Sequence, residues 1–414
     1  MTSDEQNKLA TEEEAKLNRY VMNTYGRYPI VISHGKGAHL FDIAGEDYLD
    51  FVGGIAVCAL GHAHPTLIDA MHKQISRVSH VSNLYIIPEQ ITLAKWLVEN
   101  SFADKVFFCN SGAEANEASF KLARKYAHTK LGIEEPVIIT AHASFHGRTL
   151  AAITATGQPK YQKHFAPLVP GFSYAIYNDV EDLTRLASEV DSGGKRLAAV
   201  LLEPLQGEGG VTPGERAFFA RAREICNKTG ALLMFDEVQT GLGRTGKLWG
   251  YENLEIVPDV LTSAKALGGG IPIGAMLAKS FCDIFEPGEH ATTFGGNQLA
   301  CAAAIAVTAV IGSDGFLEQV QKKGERLRKG LLEIKCANPA IFQQVRGWGL
   351  MNGLVLTEGT TLTAGDFVKA AIKEKLLLLP AGPKVLRFVP PLVVTEDEID
   401  ECIARLKRTV AALT

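Results

Sequence analysis

The chain has 414 residues, of which 46% are hydrophobic and 21% are charged, and its formal net charge is −4. This composition is typical of a globular protein, and the length exceeds what one hydrophobic core usually supports, so we expect two domains. The small negative charge argues against non-specific nucleic-acid binding, which needs a basic surface.

The apolar and cysteine patterns also bear on location. The longest apolar run, from Leu299 to Ile311, is too short to span a bilayer and predicts a buried helix. The first residues are acidic and lack the apolar core of a secretory signal or the arginines of a transit peptide. The seven cysteines are scattered and form no Cys-x-x-Cys pair, which favours reduced thiols over disulfides or zinc. These features predict a cytoplasmic protein.

Taken in chain order, the elements predict an α/β fold. Residues 1–20 are typical of a polar helix, and residues 31–50 of short strands and turns. Strands then alternate with helices, which predicts a mostly parallel sheet flanked by helices. The predicted strands are 105–109, 137–140, 198–203, 231–236 and 260–263, and helices 113–126 and 213–228 lie between them.

The pattern changes after about residue 315, where a charged amphipathic helix at 316–334 begins a smaller α+β region. Strands are predicted within 345–356 and 384–389, and a closing helix at 396–413. We therefore expect a large α/β domain at 65–312, a small α+β domain at 313–414, and an N-terminal segment at 1–64 that packs with the small domain.

An acid and a lysine follow two of the predicted strands. Asp236 closes one apolar run, and Lys265 follows the next one in a Gly-rich segment. Pyridoxal phosphate (PLP) chemistry needs such a pair, because a lysine amine binds the aldehyde as a Schiff base and a carboxylate keeps the pyridine nitrogen protonated. A lysine beside glycines is by itself more often a solvated loop residue. The remaining motifs must therefore decide between a cofactor lysine and a loop lysine.

Two further motifs follow other strands. Ser111 and Gly112 open a helix, where free backbone N–H groups bind phosphate, although a plain Ser N-cap explains the same pattern. Phe145 offers an aromatic face to a flat ring, and Arg148 offers a planar fork to a carboxylate. A surface arginine is the common alternative for Arg148.

A charge pair is predicted between distant segments. Arg387 lies in an otherwise apolar strand, and a buried charge without a partner is costly. Glu208, in the Gly-rich loop after residues 198–203, is our candidate partner. Its alternative is a solvated loop acid.

The segment 241–247 matches both Gly-x-Gly-x-x-Gly and Gly-x4-Gly-Lys. Leu248 stands where a phosphate-binding loop needs Ser or Thr, and no obvious helix follows. A nucleotide-dependent enzyme built on this segment is therefore the less favoured hypothesis.

Together these motifs resemble the class III aminotransferases, PLP-dependent enzymes of fold type I. The resemblance runs from Phe51 to Arg387, and it rests on segments 111–113, 145–149, 203–210, 236–239 and 293–297 in this order. Within the class the chain is most similar to the acetylornithine aminotransferases, because of Ser82-Asn-Leu-Tyr85, the segment 291–297, and Ile55, where ornithine aminotransferases carry tyrosine. One departure is Gln298, where the family pattern has proline.

The resemblance implies a role for each matching residue. Lys265 is implied to form the Schiff base, Asp236 to pair with the ring nitrogen, Gln239 to lie near the ring hydroxyl and Phe145 to stack on the ring. Gly112 and Ala113, with Ser111 beside them, are implied to hold the phosphate, and His146 is counted among the cofactor-binding residues. Thr293 is implied to reach the phosphate of the neighbouring subunit, so the family resemblance implies a homodimer with shared sites. Substrate roles fall to Arg148, to Arg387 with Glu208, and to Ile55, Asn83 and Tyr85.

The implied reaction is a ping-pong transfer of the δ-amino group of N-acetylornithine to 2-oxoglutarate. The alternatives are another ω-aminotransferase, acting on succinylornithine, acetyllysine, 4-aminobutyrate or ornithine, and a glutamate-semialdehyde aminomutase. The aminomutase keeps the lysine and the aspartate, but we do not expect it to carry Arg148 together with the Glu208–Arg387 pair.

Overall fold

The computed structural model describes residues 3–192 and 196–414, with side chains from residue 11 onwards except those of 191–195. In these ranges the helices, in chain order, are α1 (Ser3–Tyr20), α2 (Gly53–Ala56), α3 (Pro65–Ile75), α4 (Pro88–Glu99), α5 (Gly112–Leu131), α6 (Leu150–Ala155), α7 (Pro159–Gln162), α8 (Val180–Ser192), α9 (Arg216–Thr229), α10 (Gln298–Ile311), α11 (Phe316–Ala337), α12 (Ala364–Lys373) and α13 (Glu396–Ala411).

The strands of the same ranges are β1 (Ile32–Lys36), β2 (His39–Asp42), β3 (Asp47–Asp50), β4 (Lys105–Cys109), β5 (Pro136–Ala141), β6 (Phe172–Ala175), β7 (Arg196–Leu202), β8 (Leu205–Gln206), β9 (Thr212–Pro213), β10 (Leu232–Asp236), β11 (Val260–Ser263), β12 (Gly274–Ala278), β13 (Phe342–Trp348), β14 (Met351–Leu356), β15 (Leu376–Leu377), β16 (Leu379–Pro380) and β17 (Val385–Phe388).

A seven-stranded sheet forms the centre of the protein, in the order β4-β12-β11-β10-β7-β5-β6. The pairs β11–β10, β10–β7, β7–β5 and β5–β6 are parallel, and only β12 runs against its neighbours β4 and β11. The strands are nearly continuous apolar runs because helices cover both faces of the sheet. The predicted α/β fold with a mostly parallel sheet is confirmed.

Local signals explain where the main helices begin and end. The Ser111 hydroxyl accepts from Glu114 N at the start of α5, and Gly132 ends that helix with a left-handed φ of 64°. Thr395 and Glu398 form a capping box at the start of α13. The alanine-rich α10 is buried on most of its surface, as its apolar run predicts.

Two four-stranded sheets are built from the N-terminal and C-terminal parts of the chain. Strands β1, β2 and β3 form one sheet with β15, which comes from the C-terminal part of the chain. Strands β13, β14, β17 and β16 form the other, and α11 packs on it and on α13. The N-terminal strands thus pair with the C-terminal region, while the domain limits 1–64, 65–312 and 313–414 stay a prediction.

The sequence prediction missed the two-residue strands β8, β9, β15 and β16, and it differs from the structure at three longer elements. Strands β6 and β12 were not predicted, because one is four residues long and the other follows a Gly-rich loop without alternation. The predicted helix at 213–228 begins only at Arg216, because Pro213 pairs with Leu205 in a short ladder.

No single helix of the described ranges is long and apolar enough to cross a bilayer, and one pair, α10 with α11, passes that test only as two segments bent by 73°. Most of α10 is buried inside the protein.

Candidate active site

The carboxyl ends of the parallel strands open into a cavity of about 420 Å³. Loops after β4, β5, β7, β10 and β11 line it. Open α/β sheets bind ligands at this edge because successive loops diverge there. The cavity brings Arg148 together with eight of the nine predicted cofactor residues, which are Ser111, Gly112, Ala113, Phe145, His146, Asp236, Gln239 and Lys265.

Lys265 begins a short 3-10 turn directly after β11, with a left-handed φ of 40°. Such backbone strain in a non-glycine residue is found mainly at functional sites. Burial lowers the pKa of its amine to about 8. A lysine with this pKa has a sizeable unprotonated fraction near neutral pH, which a nucleophile requires.

Asp236, at the end of β10, is 4% exposed and is held by three donors. Its Oδ2 lies 2.8 Å from Nδ1 of His146 and accepts from Nδ2 of Asn116 at 2.8 Å, while its Oδ1 accepts from Val238 N at 3.0 Å. Thr262 in turn donates to Oδ1 of Asn116 at 2.8 Å, which fixes the amide orientation. The carboxylate is therefore held in one position by a buried network.

The start of α5 faces the cavity with Ser111, Gly112 and Ala113. A Cβ on Gly112 would lie 2.7 Å from Val238, so only glycine lets the helix start approach β10 this closely. The first N–H groups of a 20-residue helix have no intrahelical acceptors and form an anion site. The Ser111 hydroxyl caps this helix, as the N-cap interpretation predicts, and the phosphate interpretation, which this cap does not exclude, stays a prediction.

The Phe145 ring and the Arg148 side chain lie side by side at the mouth of the cavity. The Arg148 guanidinium stands 5.0 Å from the Phe145 centroid and 3.9 Å from that of Tyr161, and the two rings meet edge to face. Arg148 is exposed, which leaves its fork open to a carboxylate ligand.

Glu208 and Arg387 form the ion pair that the sequence suggests, with Nη1 of Arg387 2.5 Å from Oε1 of Glu208. Arg387 is 1% exposed, and the same nitrogen donates to Oε1 of Gln239 at 3.0 Å. Burial alone would raise the pKa of Glu208, but the Arg387 guanidinium outweighs burial and lowers it. The buried Arg387 is thus neutralised by the partly exposed Glu208, whose place at the guanidinium another carboxylate can take.

Besides Glu208 and Arg387, which reach the cavity through Gln239, four predicted residues do not line it. Ile55 belongs to α2, whose residues all have left-handed φ angles, and its side chain is 45% exposed. Tyr85 is 68% exposed. Asn83 is exposed and donates to Gly295 O at 2.9 Å, which ties its loop to the segment around Thr293, itself exposed. Their implied roles at a shared site stay predictions.

The glycine segment at 241–247 does not form a nucleotide loop. Residues 241–246 are buried turns, and a short 3-10 helix at Gly250–Asn253 follows them. Arg244, which belongs to the segment 241–247, donates to Leu350 O and Pro390 O, so this segment connects the large sheet to the C-terminal region. The nucleotide hypothesis lacks the strand, loop and helix that it requires.

Sequence reasoning missed three polar residues of the site. Asn116 lies about one helical turn after the segment Ser111-Gly-Ala113 and donates to Asp236. Thr262, in β11, donates to Asn116. The ring of Tyr161 packs against the Arg148 guanidinium. The i, i+3 spacing of Ala113 and Asn116 could have placed Asn116 on the cavity face.

The residues present fit PLP. Nε2 of His146 is buried without a hydrogen-bond partner in the described part of the chain, because Nδ1 is turned to Asp236. A helix start for phosphate, an amine with lowered pKa, a buried carboxylate and an aromatic face line one cavity. This donor set matches the phosphate, aldehyde, ring nitrogen and ring face of that cofactor.

Comparison with known proteins agrees with this geometry. The family model described as aminotransferase class-III matches residues 20–410. The acetylornithine aminotransferase of Synechocystis sp. is 62% identical over 400 residues, covering 96% of this chain and 93% of the relative. That of Gloeobacter violaceus is 54% identical and covers 96% and 97% of the two chains.

Solved structures show the same fold. The crystal structure of ornithine aminotransferase from Toxoplasma gondii superposes with a TM-score of 0.92 at 31% identity, covering 100% of this chain and 99% of the other. N-acetylornithine aminotransferase from Stenotrophomonas maltophilia gives a TM-score of 0.82 at 39% identity, covering 96% and 98%.

The fold and the site define a fold type I PLP-dependent enzyme. The chain belongs to the class III aminotransferases, and pyridoxal phosphate is its cofactor.

Proposed function

We propose that this protein transfers the terminal amino group between N-acetylornithine and 2-oxoglutarate. The products are N-acetylglutamate semialdehyde and glutamate, and the reaction belongs to arginine biosynthesis. Relatives named acetylornithine aminotransferase match nearly their whole length, which supports this choice of donor.

PLP, when bound, supplies an electron sink that stabilises negative charge at the carbon carrying the amine. Lys265 would bind its aldehyde, Asp236 with His146 would hold its ring nitrogen, Phe145 its ring face, and the start of α5 its phosphate. Gln239 would lie near its ring hydroxyl. These roles are transferred from the family to the matching positions of this chain.

The Lys265 amine also acts as the proton carrier in this proposal. Its pKa of about 8 would let Nζ accept a proton from the substrate carbon and deliver it to the cofactor within one half-reaction. The cavity position of the amine, beside Asp236 and Gln239, supports this role.

The Glu208–Arg387 pair carries the proposal on substrate choice. One site must accept a terminal amine in one half-reaction and an α-amine beside a carboxylate in the other. With N-acetylornithine, Arg387 stays neutralised by Glu208. With glutamate or 2-oxoglutarate, the substrate α-carboxylate takes the place of Glu208, while Arg148 binds the distal carboxylate.

We also propose that the enzyme is a cytoplasmic homodimer with shared active sites. Thr293 is exposed and does not line the cavity of its own chain, which supports a role towards a neighbouring subunit. Ile55, Asn83 and Tyr85 are exposed in the single chain and are proposed to contact substrate in the dimer.

An absorption experiment tests the donor. Protein loaded with PLP receives N-acetylornithine, ornithine, 4-aminobutyrate and glutamate in turn, and the loss of the visible cofactor band is followed. We expect N-acetylornithine to bleach the band fastest and glutamate to bleach it too. A faster bleach by ornithine or 4-aminobutyrate would replace the donor and keep the reaction class, and a missing band would contradict the role of Lys265.

Glu208→Gln tests the exchange at Arg387. Removal of a charge-assisted hydrogen bond of ~1.5–3 kcal/mol frees the arginine for a carboxylate, so the glutamate half-reaction should gain on the N-acetylornithine half-reaction by roughly tenfold to a hundredfold. Stopped-flow rates of the two half-reactions give this ratio. An unchanged ratio would contradict the exchange.

A further inference from the structure

A second acid lies in the cavity and has no part in the proposed reaction. Glu203 follows β7, is 6% exposed, and lines the cavity with Asp236 and Lys265. A buried acid beside a cofactor lysine either carries charge that affects the lysine or is kept neutral. The contacts of the Glu203 carboxyl group indicate whether it is charged or neutral.

Only neutral donors contact the Glu203 carboxyl group. Its Oε2 accepts from Phe145 N at 3.2 Å, and its Oε1 lies 3.4 Å from Gly207 N, a weak contact. Among the side chains that the structure describes, no lysine, arginine or histidine forms an ion pair with it. A buried carboxyl group without a cation partner takes up a proton because the charged form loses its hydration.

The charged and titratable groups around Glu203 come from three different elements. Asp236 faces it from β10, Lys265 from the turn after β11, and Tyr177, which donates to Glu203 O at 2.7 Å, from the loop after β6. Burial raises the pKa of Glu203 well above its usual range, and the Asp236 carboxylate raises it further. The N–H groups of Phe145 and Gly207 and then the Lys265 amine lower this pKa, but they do not outweigh burial.

We propose that Glu203 is a positioning residue that works in its protonated form. It connects the main chain at Phe145, under the cofactor ring, to the Gly207 turn that leads to Glu208. Because it is neutral, it makes this connection without placing a second negative charge beside Lys265. The inference rests on the proposed role of Lys265 as the cofactor lysine.

The first measurement uses the protein without cofactor. Glu203→Gln mimics the neutral acid, with an amide oxygen for Phe145 N and an amino group where the hydroxyl stands. In the parent protein the folded state keeps a proton that the unfolded state releases, so stability falls as pH rises. The ratio of the unfolding constants of parent and variant should therefore rise about tenfold per unit between pH 5 and 7.

Urea unfolding at each pH gives this ratio. A ratio of unfolding constants that does not change with pH would show that Glu203 is charged in the folded state and would overturn the proposal. Failure of Glu203→Gln to fold would overturn it as well, because the amide has the shape of the neutral carboxyl group and loses only the weak contact from Gly207 N.

The second measurement uses the PLP-loaded protein. The pH midpoint of the visible cofactor band should differ by less than about half a unit between parent and Glu203→Gln, since no charge is lost. A midpoint lowered by about one unit or more would reveal a carboxylate beside the lysine and contradict the proposal. If the parent itself shows no cofactor band, the proposed function fails, while the cofactor-free titration still tests Glu203.

Glu237→Gln is the matched control. Glu237 is 1% exposed, and burial raises its pKa to about 7, but it accepts from Thr240, Gly250 and Tyr251 and lies outside the cavity. An amide cannot accept at both positions, so this variant should lose stability about tenfold or more in the unfolding constant and keep the cofactor midpoint. A shift of the midpoint in this control would show that the band reports general destabilisation and would overturn the use of Glu203→Gln as evidence.

Discussion

One carboxylate shows how residues from several elements form the cofactor site. Asp236 comes from β10, while its partners His146 and Asn116 come from the loop after β5 and from α5. Each partner is held by a further bond, from Asn116 to His146 O and from Thr262 to Asn116. A buried network in which Asp236 has three partners keeps one geometry, which an electron-sink cofactor needs at its ring nitrogen.

Arg148 is predicted to recognise carboxylate through its planar fork. In Arg148→Lys the ammonium replaces both the fork and the stacking on Tyr161, so we expect the KM for 2-oxoglutarate to rise roughly tenfold to a hundredfold. Arg124→Lys is the control, because Arg124 lies over the Phe172 ring outside the cavity. Equal KM values for the two variants would remove Arg148 from the substrate site.

The pKa of Lys265 predicts how cofactor uptake depends on pH. Burial lowers this pKa to about 8, so the unprotonated amine becomes the main form above that value. Between pH 7 and 9 the rate of PLP incorporation into cofactor-free protein should rise about tenfold and then level off. A rate that keeps rising past about pH 10 would mean an ordinary lysine pKa.

At the scale of elements, α2 is the least expected segment. Gly53, Gly54, Ile55 and Ala56 all have φ between 53° and 64°, so the turn is left-handed. Left-handed backbone costs roughly 1–2 kcal/mol per non-glycine residue. Asp50 stabilises the turn by accepting from Val52 N and Gly53 N. Ile55 is exposed in this turn, and Val57, two residues further along the chain, lines the cavity.

Two glycines of this turn make a matched pair for mutation. A Cβ on Gly53 would lie 2.9 Å from the backbone oxygen of Val389, while one on Gly54 would meet side chains alone, with Sγ of Cys58 nearest at 3.2 Å. Both replacements with alanine add left-handed strain of about 1–2 kcal/mol, and Gly53→Ala adds a backbone clash. Urea unfolding should therefore show a larger loss for Gly53→Ala. Equal losses would mean that the contact with Val389 relaxes freely.

The elements that sequence reasoning found are those with strong local signals. The long helices α5, α11 and α13 have caps or apolar stripes, and the buried strands β4, β7 and β10 are uninterrupted apolar runs. Strand β12 was missed because its direction and partners depend on the gap between β4 and β11, which no local pattern encodes.

At the scale of the whole molecule, exposed apolar side chains lie near the loop of Thr293. Leu84, Ile86 and Phe294 are 86%, 84% and 59% exposed, and Asn83 connects their two loops. Clustered apolar surface of this kind marks interaction sites. A second copy of this chain is the partner that the family resemblance implies.

Leu84→Asp tests that surface. An aspartate buried between subunits without a partner should shift the protein from dimer to monomer in sedimentation velocity and weaken cofactor retention roughly tenfold or more. Val257→Asp changes another exposed apolar residue, 44% exposed, and should leave both properties unchanged. A dimer that persists in Leu84→Asp would place the subunit contact elsewhere.

The sequence by itself determined the chemistry of this protein. Lys265, Asp236 and the helix-opening Ser111 each follow a strand in chain order, and the carboxyl ends of parallel strands meet at one edge, so their convergence could be predicted from the strand pattern alone. The partner of Arg387 was inferred in the same way, because a charge in an apolar strand requires an opposite one.

Only the tertiary structure decided which other groups lie in or near the cavity. Asn116, Tyr161, the neutral Glu203 and the left-handed turn at α2 depend on packing between segments far apart in the chain. Burial, hydrogen-bond partners and backbone strain arise when those segments meet, and a linear pattern of residue types does not contain them.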